Sequence, residues 1–108
     1  MARFIVTGNY TAEAMKGMVA RPSDRAAAVT KLLKSAGAKL EAIYFTTGEH
    51  DFLFIATGDI DKVIPGLMVA GATGAVCNLS TAQAFTSDEF TAFQKSAGEM
   101  AKAYKAPN

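Results

Sequence analysis

The sequence predicts an α+β fold: a four-stranded antiparallel sheet with helices on one face and an additional helix at the C-terminal end. Three observations point there. The segments run strand, helix, strand, strand, helix, strand, helix. The two middle strands are separated by a short polar turn, so they read as a hairpin set between two strand–helix units, which is the split βαβ or ferredoxin-like plan, βαββαβ. The hairpin is apolar on both faces, so each face needs a cover, and one layer of helices supplies only one.

Each element has its own signal. Residues 3–8 are short, apolar and rich in strand formers, and Gly8-Asn9 ends them. Thr11 can cap a helix with Glu13 in its first turn, and Met15, Met18 and Val19 follow at helical spacing. Arg21-Pro22 interrupts, because proline lacks the N–H and pushes its predecessor out of helix. Ser23 can recap, Asp24 suits the positive end of the new dipole, and Val29, Leu32, Leu33 and Ala36 restore the stripe up to a Gly37 stop. Two helical pieces are therefore expected, bent or collinear.

Residues 40–47 and 51–57 form the hairpin. Gly48-Glu49 fits a two-residue type II′ turn, which pairs Thr47 with His50, Thr46 with Asp51 and Phe45 with Phe52. One face then carries Ile43, Phe45, Phe52 and Phe54, the other Ala42, Tyr44, Leu53 and Ile55. The next helix starts at Asp59 or Asp61, with Val63, Ile64, Leu67 and Met68 as its buried stripe and Gly71 and Gly74 at its end. Pro65 is tolerable only near its first turn. Residues 76–85 read as the last strand. Thr86-Ser87-Asp88-Glu89 is a capping box, Phe85 and Phe90 suit a hydrophobic staple, and Phe93, Ala97, Met100, Ala101 and Tyr104 continue the last helix until the end frays.

Composition bounds the function. Half of the 108 residues are hydrophobic, and 11 Lys+Arg against 10 Asp+Glu leave a net charge of +1. The length suits a single domain over residues 1–108. The charge argues against nucleic acid or a membrane surface as a partner held by bulk electrostatics. One Cys and one His exclude an intrachain disulfide framework and a multi-Cys zinc site and argue against haem or metal catalysis, so no metal or cofactor is expected, a weak carboxylate-held metal being the alternative left open. No targeting segment or bilayer-spanning stretch is visible, and the cytoplasm is the default location. The second apolar sheet face predicts a homodimer or larger oligomer with two sheets packed face to face.

The run Gly48-Glu49-His50-Asp51-Phe52-Leu53-Phe54-Ile55-Ala56 resembles the motif region of the GYD-domain family. Pro22 and Arg25 resemble its Ser-Pro-x-Arg region, Tyr44-Phe45-Thr46-Thr47 the aromatic strand before the motif, and residues 81–90 the strand-to-helix junction near its end. The resemblance spans residues 2–93 and departs at His50, where the family has tyrosine. It implies a fold similar to the dimeric α/β-barrel proteins, and no reaction.

His50 is a candidate general acid or base; the plainer reading is a solvated hairpin histidine. Asp51, its neighbour, is a candidate carboxylate at a cavity edge, or a fastener of the hairpin. Alternation points these two side chains to opposite faces, so a partner for His50 must come from Glu41 or a second subunit. Tyr44, expected on the face of Asp51, together with Thr46 and Arg25 are candidate ligand contacts. Arg3, Ile5 and Thr7 share a face of the first strand, and Asn78, Ser80 and Ala82 one of the last. If these line one cavity, it has apolar walls and a few polar handles. Met15, Met18 and Met68 read as core, and Cys77 as a buried, inert thiol. Two readings of function stand: a small homo-oligomeric binding or scaffold domain with a small-ligand pocket, or a cofactor-free enzyme resembling the monooxygenases and isomerases of the dimeric α/β-barrel fold. The second leans on fold analogy.

Overall fold

A computed structural model describes residues 1–107. Its elements are β1 (Ala2–Tyr10), α1 (Ala12–Ala20), α2 (Arg25–Ser35), β2 (Lys39–Phe45), β3 (Phe52–Gly58), α3 (Ile60–Ala72), β4 (Val76–Ala84) and α4 (Ser87–Ala101). The strands pair antiparallel in one four-stranded sheet of order β2-β3-β1-β4. This is the expected ferredoxin-like α+β plan.

A period of two sorts the sheet into an inner and an outer face. Phe4, Val6, Phe52, Phe54 and Ala56 are buried in one core with Leu33 of α2 and Val63 and Leu67 of α3. Burying each of the larger side chains contributes roughly 1.5–3 kcal/mol. Gly8 continues the inner row of β1. A Cβ there would lie 2.6 Å from Phe52 Cζ and 2.8 Å from Leu79 Cδ2, so only glycine lets those two side chains close over the strand. The alternate residues Ile5, Leu53 and Ile55 remain half-exposed on the outer face, beside an exposed Tyr44.

The caps explain where the helices begin. Thr11 Oγ1 accepts from Ala14 N at 3.2 Å and donates to Gly74 O at 2.8 Å, which ties the start of α1 to the turn before β4. Asp24, not Ser23, caps α2, accepting from Ala27 N at 3.1 Å. The α3 stripe is narrower than its spacing suggests: Val63 and Leu67 are buried, whereas Ile64 and Met68 are exposed. Val63, Gly66 and Leu67 face the core, and a Cβ added at Gly66 would make only ordinary contact with Ala36 Cβ at 3.8 Å. Met15 of α1 is also exposed rather than core.

The hairpin keeps the expected register, Phe45 opposite Phe52, but not the expected turn. Gly48 does not adopt the positive φ that type II′ requires. Residues 46–51 bend away because β1 takes up their backbone: Asp51 N donates to Gly8 O at 2.9 Å and Asn9 Nδ2 to Glu49 O at 3.1 Å. Thr46 N still donates to Asp51 O at 2.9 Å, closing the loop. A register shift around Glu41 marks a bulge in β2, and another around Asn78, at φ 55°, marks one in β4. The second bulge breaks the expected shared face of Asn78, Ser80 and Ala82. Cys77 beside it is exposed on an edge strand, not buried.

α4 begins with the expected capping box, in which Thr86 and Glu89 exchange side-chain-to-backbone bonds. Phe85 packs edge-on against Phe93, ring centroids 4.9 Å apart, rather than stapling to Phe90. None of the residues of α4 is buried. Its first turn is held to β1 by Arg3 Nη1, 3.3 Å from Glu89 Oε1, and the rest projects from the body. The molecule is accordingly 60 Å long, with a radius of gyration of 17.9 Å, against about 13 Å for a compact chain of this length. Among the described residues no helix is long and apolar enough to cross a membrane.

Candidate functional site

The space between the helices and the inner sheet face does not close completely. A cavity of about 240 Å³ lies among α2, α3 and the sheet, walled by side chains such as Val29, Leu32, Leu33, Ile43, Phe52, Phe54, Leu67 and Leu79. Nearly all its walls are apolar; Tyr10 and Arg25 bring polar groups to it. The same two residues line an open cleft next to it, with Met15, Met18, Val19, Phe45, Thr46 and Asp51. Tyr10 and Arg25 therefore stand where an apolar chamber opens into a wider, solvent-facing cleft.

Local structure explains their placement. Tyr10 ends β1 on the inner row Phe4-Val6-Gly8-Tyr10, and its ring packs at 5.2 Å from that of Phe52. Asp51 holds it there: Asp51 Oδ2 accepts from Tyr10 N at 2.9 Å. Arg25 opens α2 and is half-buried, with Nη1 donating to Ser23 Oγ at 3.3 Å. Burial raises the Tyr10 pKa above its ordinary 10.0, the adjacent Arg25 guanidinium pulls it down, and the Asp51 carboxylate pushes it up. The net effect is upward, so the phenol stays protonated at neutral pH and can donate a hydrogen bond.

Of the residues singled out from sequence, Arg25, Thr46 and Asp51 come together at this mouth. Thr46, paired with Asp51 through its backbone, donates its hydroxyl to His50 O and not to the Asp51 carboxylate. Tyr44 is not on the face of Asp51. It pairs with Leu53 on the outer face and is exposed, because the bend at residues 46–51 carries Asp51 toward Tyr10 on the helix side. His50 is half-buried rather than solvated and lines none of these spaces; its Nδ1 is closed off from solvent, with no hydrogen-bond partner among the described residues. Glu41 bonds Thr57 Oγ1 at 3.0 Å and does not reach it. Arg3, Ile5 and Thr7 lie on the outer face, away from the cavity.

Tyr10 was missed because the sequence signal for the first strand stops at Gly8. The alternation of Phe4, Val6 and Gly8 carried two residues further places Tyr10 on the inner face, and that was the available signal. Among the described residues no three His, Cys, Asp or Glu side chains gather as a metal site would require.

This geometry sits on a widely used scaffold. The chain superposes on TTHA0845 from Thermus thermophilus with a TM-score of 0.50 at 15% identity, covering 81% of this chain and 96% of that one. It superposes on MtbAldR with a TM-score of 0.52 at 14% identity, covering 79% of this chain but only 52% of that longer protein. At these identities the likeness concerns the fold alone. No curated protein sequence matches the chain. The GYD domain family model matches residues 4–93, most of the sequence and all of the strands that build the cavity except their outermost residues. The chain belongs to the GYD-domain family.

Proposed function

We propose that this chain is a small homo-oligomeric domain that binds a small, largely apolar molecule between its helices and the inner face of its sheet. The observation that carries the reading is the 240 Å³ cavity with mostly apolar walls and a few polar residues, Thr73 and, where it adjoins the cleft, Tyr10 and Arg25. An apolar chamber with a few placed polar groups is the usual composition of a small-molecule site, and this volume lies just below the usual range of about 300–1,000 Å³. The volume suits a single ring or a short branched chain. The exposed Cys77 thiol, unpaired within the chain, suits a reducing compartment such as the cytoplasm.

A second copy of the chain is the proposed cover for the outer sheet face. Ile5, Leu53, Ile55 and Tyr44 make that face apolar across the three strands β1, β3 and β2, and α4 extends from the same chain with Phe90 and Met100 exposed. Two unpartnered apolar surfaces on one chain suit a symmetric pairing in which each copy covers the other.

The test of the binding site is a titration with benzyl alcohol, a neutral single-ring probe, followed through backbone amide signals. Saturable shifts confined to the cavity walls, among them Leu32, Leu67 and Val76, are expected. Ala28→Phe, which projects a ring into the space from α2, should weaken them about tenfold or more. Shifts that never saturate, or that Ala28→Phe leaves unchanged, would overturn the assignment.

A further inference from the structure

We infer that the molecule held in this cavity is a monocarboxylate, an apolar ring or branched chain carrying one carboxylate that pairs with Arg25. The inference rests on the binding-site reading above and gives it a chemical class. Arg25 is half-buried, lines both the cavity and the adjoining cleft, and with Ser23 Oγ and the neighbouring Tyr10 hydroxyl as its side-chain partners keeps most of the five N–H groups of a guanidinium free. Among the described residues no carboxylate lies within 4.0 Å of it. The two acids that could have served are committed elsewhere: Asp24 caps α2 through Ala27 N, and Asp51 accepts from Tyr10 N. A half-buried guanidinium with no contact ion pair keeps N–H groups that a ligand carboxylate can engage.

The same surroundings select among anions. The planar fork of Arg25 matches a carboxylate through two parallel hydrogen bonds. Tyr10, protonated beside it, adds an O–H donor. Asp51 and Asp24 line the same cleft, so a second negative charge on the ligand, as in a phosphate ester or phosphonate, would add repulsion from two carboxylates. The rest of the ligand faces Val29, Leu33, Ile43, Phe54 and Leu67, which offer it nothing but apolar contact. One charge at the mouth and an apolar body inside satisfy every group present.

Titration calorimetry with three probes of one shape tests this: phenylacetate, 2-phenylacetamide and benzylphosphonate, at a pH where the phosphonate is doubly charged. Phenylacetate should bind about tenfold more tightly than the amide, the worth of a charge-assisted pair. The phosphonate should bind more weakly than phenylacetate. Arg25→Gln should remove the preference for the acid, bringing its affinity to that of the amide, and Arg25→Lys, which keeps the charge but not the fork, should retain part of the preference. Equal binding of acid and amide would overturn the carboxylate assignment and leave the cavity reading standing. A tighter phosphonate would overturn it in favour of a phosphate-bearing ligand. If none of the three binds saturably and benzyl alcohol also fails, the binding site itself is wrong. Should Arg25→Gln not fold, the acid-to-amide ratio in the native protein and in Arg25→Lys still decides.

Discussion

Asp51 and Tyr10 show how much one long-range hydrogen bond organises here. The Tyr10 amide sits where β1 leaves the sheet, and the Asp51 carboxylate, 41 residues away in sequence, accepts a hydrogen bond from it. Asp51→Ala leaves that half-buried amide unpartnered and should cost about 1–3 kcal/mol in chemical denaturation, whereas Asp51→Asn keeps an acceptor and should cost less. Equal losses would mean that the hydrogen bond does not hold the strand end. Tyr10 also makes alkaline stability a test of burial. Its pKa is raised above 10.0 in the folded chain, so the folded state keeps the phenol proton to higher pH than the unfolded state does. The stability this represents is present in full below pH 10.0 and is lost as pH rises through the folded value. Denaturation midpoints should fall across that range, and Tyr10→Phe should fall less. Parallel curves would place the phenol in water.

At the scale of elements, local signals were legible and distant ones were not. The caps at Thr11 and Thr86 and the break at Arg21-Pro22 could be read because each is settled within a few residues. The Phe45–Phe52 register could be read because a two-residue link at Gly48-Glu49 fixes which residues face each other, and that count holds although the turn type does not. The turn misled because Gly48 has a turn residue's freedom, while Gly8 and Asn9, far away in sequence, take the backbone partners of the loop. The same contact moved Asp51 away from Tyr44 and toward Tyr10. Three of the site's residues, Arg25, Thr46 and Asp51, were thus recognisable by type, but what unites them is a bend in the loop and a strand longer than expected. Gly8 is the element-scale weak point. Gly8→Val forces the ring of Phe52 and the side chain of Leu79 outward, and both wall the cavity. Overpacking of this kind should cost about 1–3 kcal/mol and abolish benzyl alcohol binding. An unshifted denaturation midpoint with full binding would show that the close approach over β1 is not needed.

The whole molecule has two faces with different standing. The inner face is closed by α2 and α3 around a cavity; the outer face and α4 end in exposed apolar side chains. A pair of lysines on the outer face, Leu53→Lys with Ile55→Lys, should leave the inner core intact and separate the copies. The element order showed that one face would be left uncovered, but not that α4 would leave the body instead of covering it, because Phe90, Phe93 and Met100 read equally well as a stripe facing their own chain or another. Native mass spectrometry of freshly purified protein tests the central claim in one spectrum. The expected result is a multiple of the single-chain mass that carries an extra small mass, released on gentle activation and absent from Arg25→Gln. A single-chain mass with nothing bound, unchanged by concentration, would contradict both the pairing across the outer face and the occupied cavity behind it.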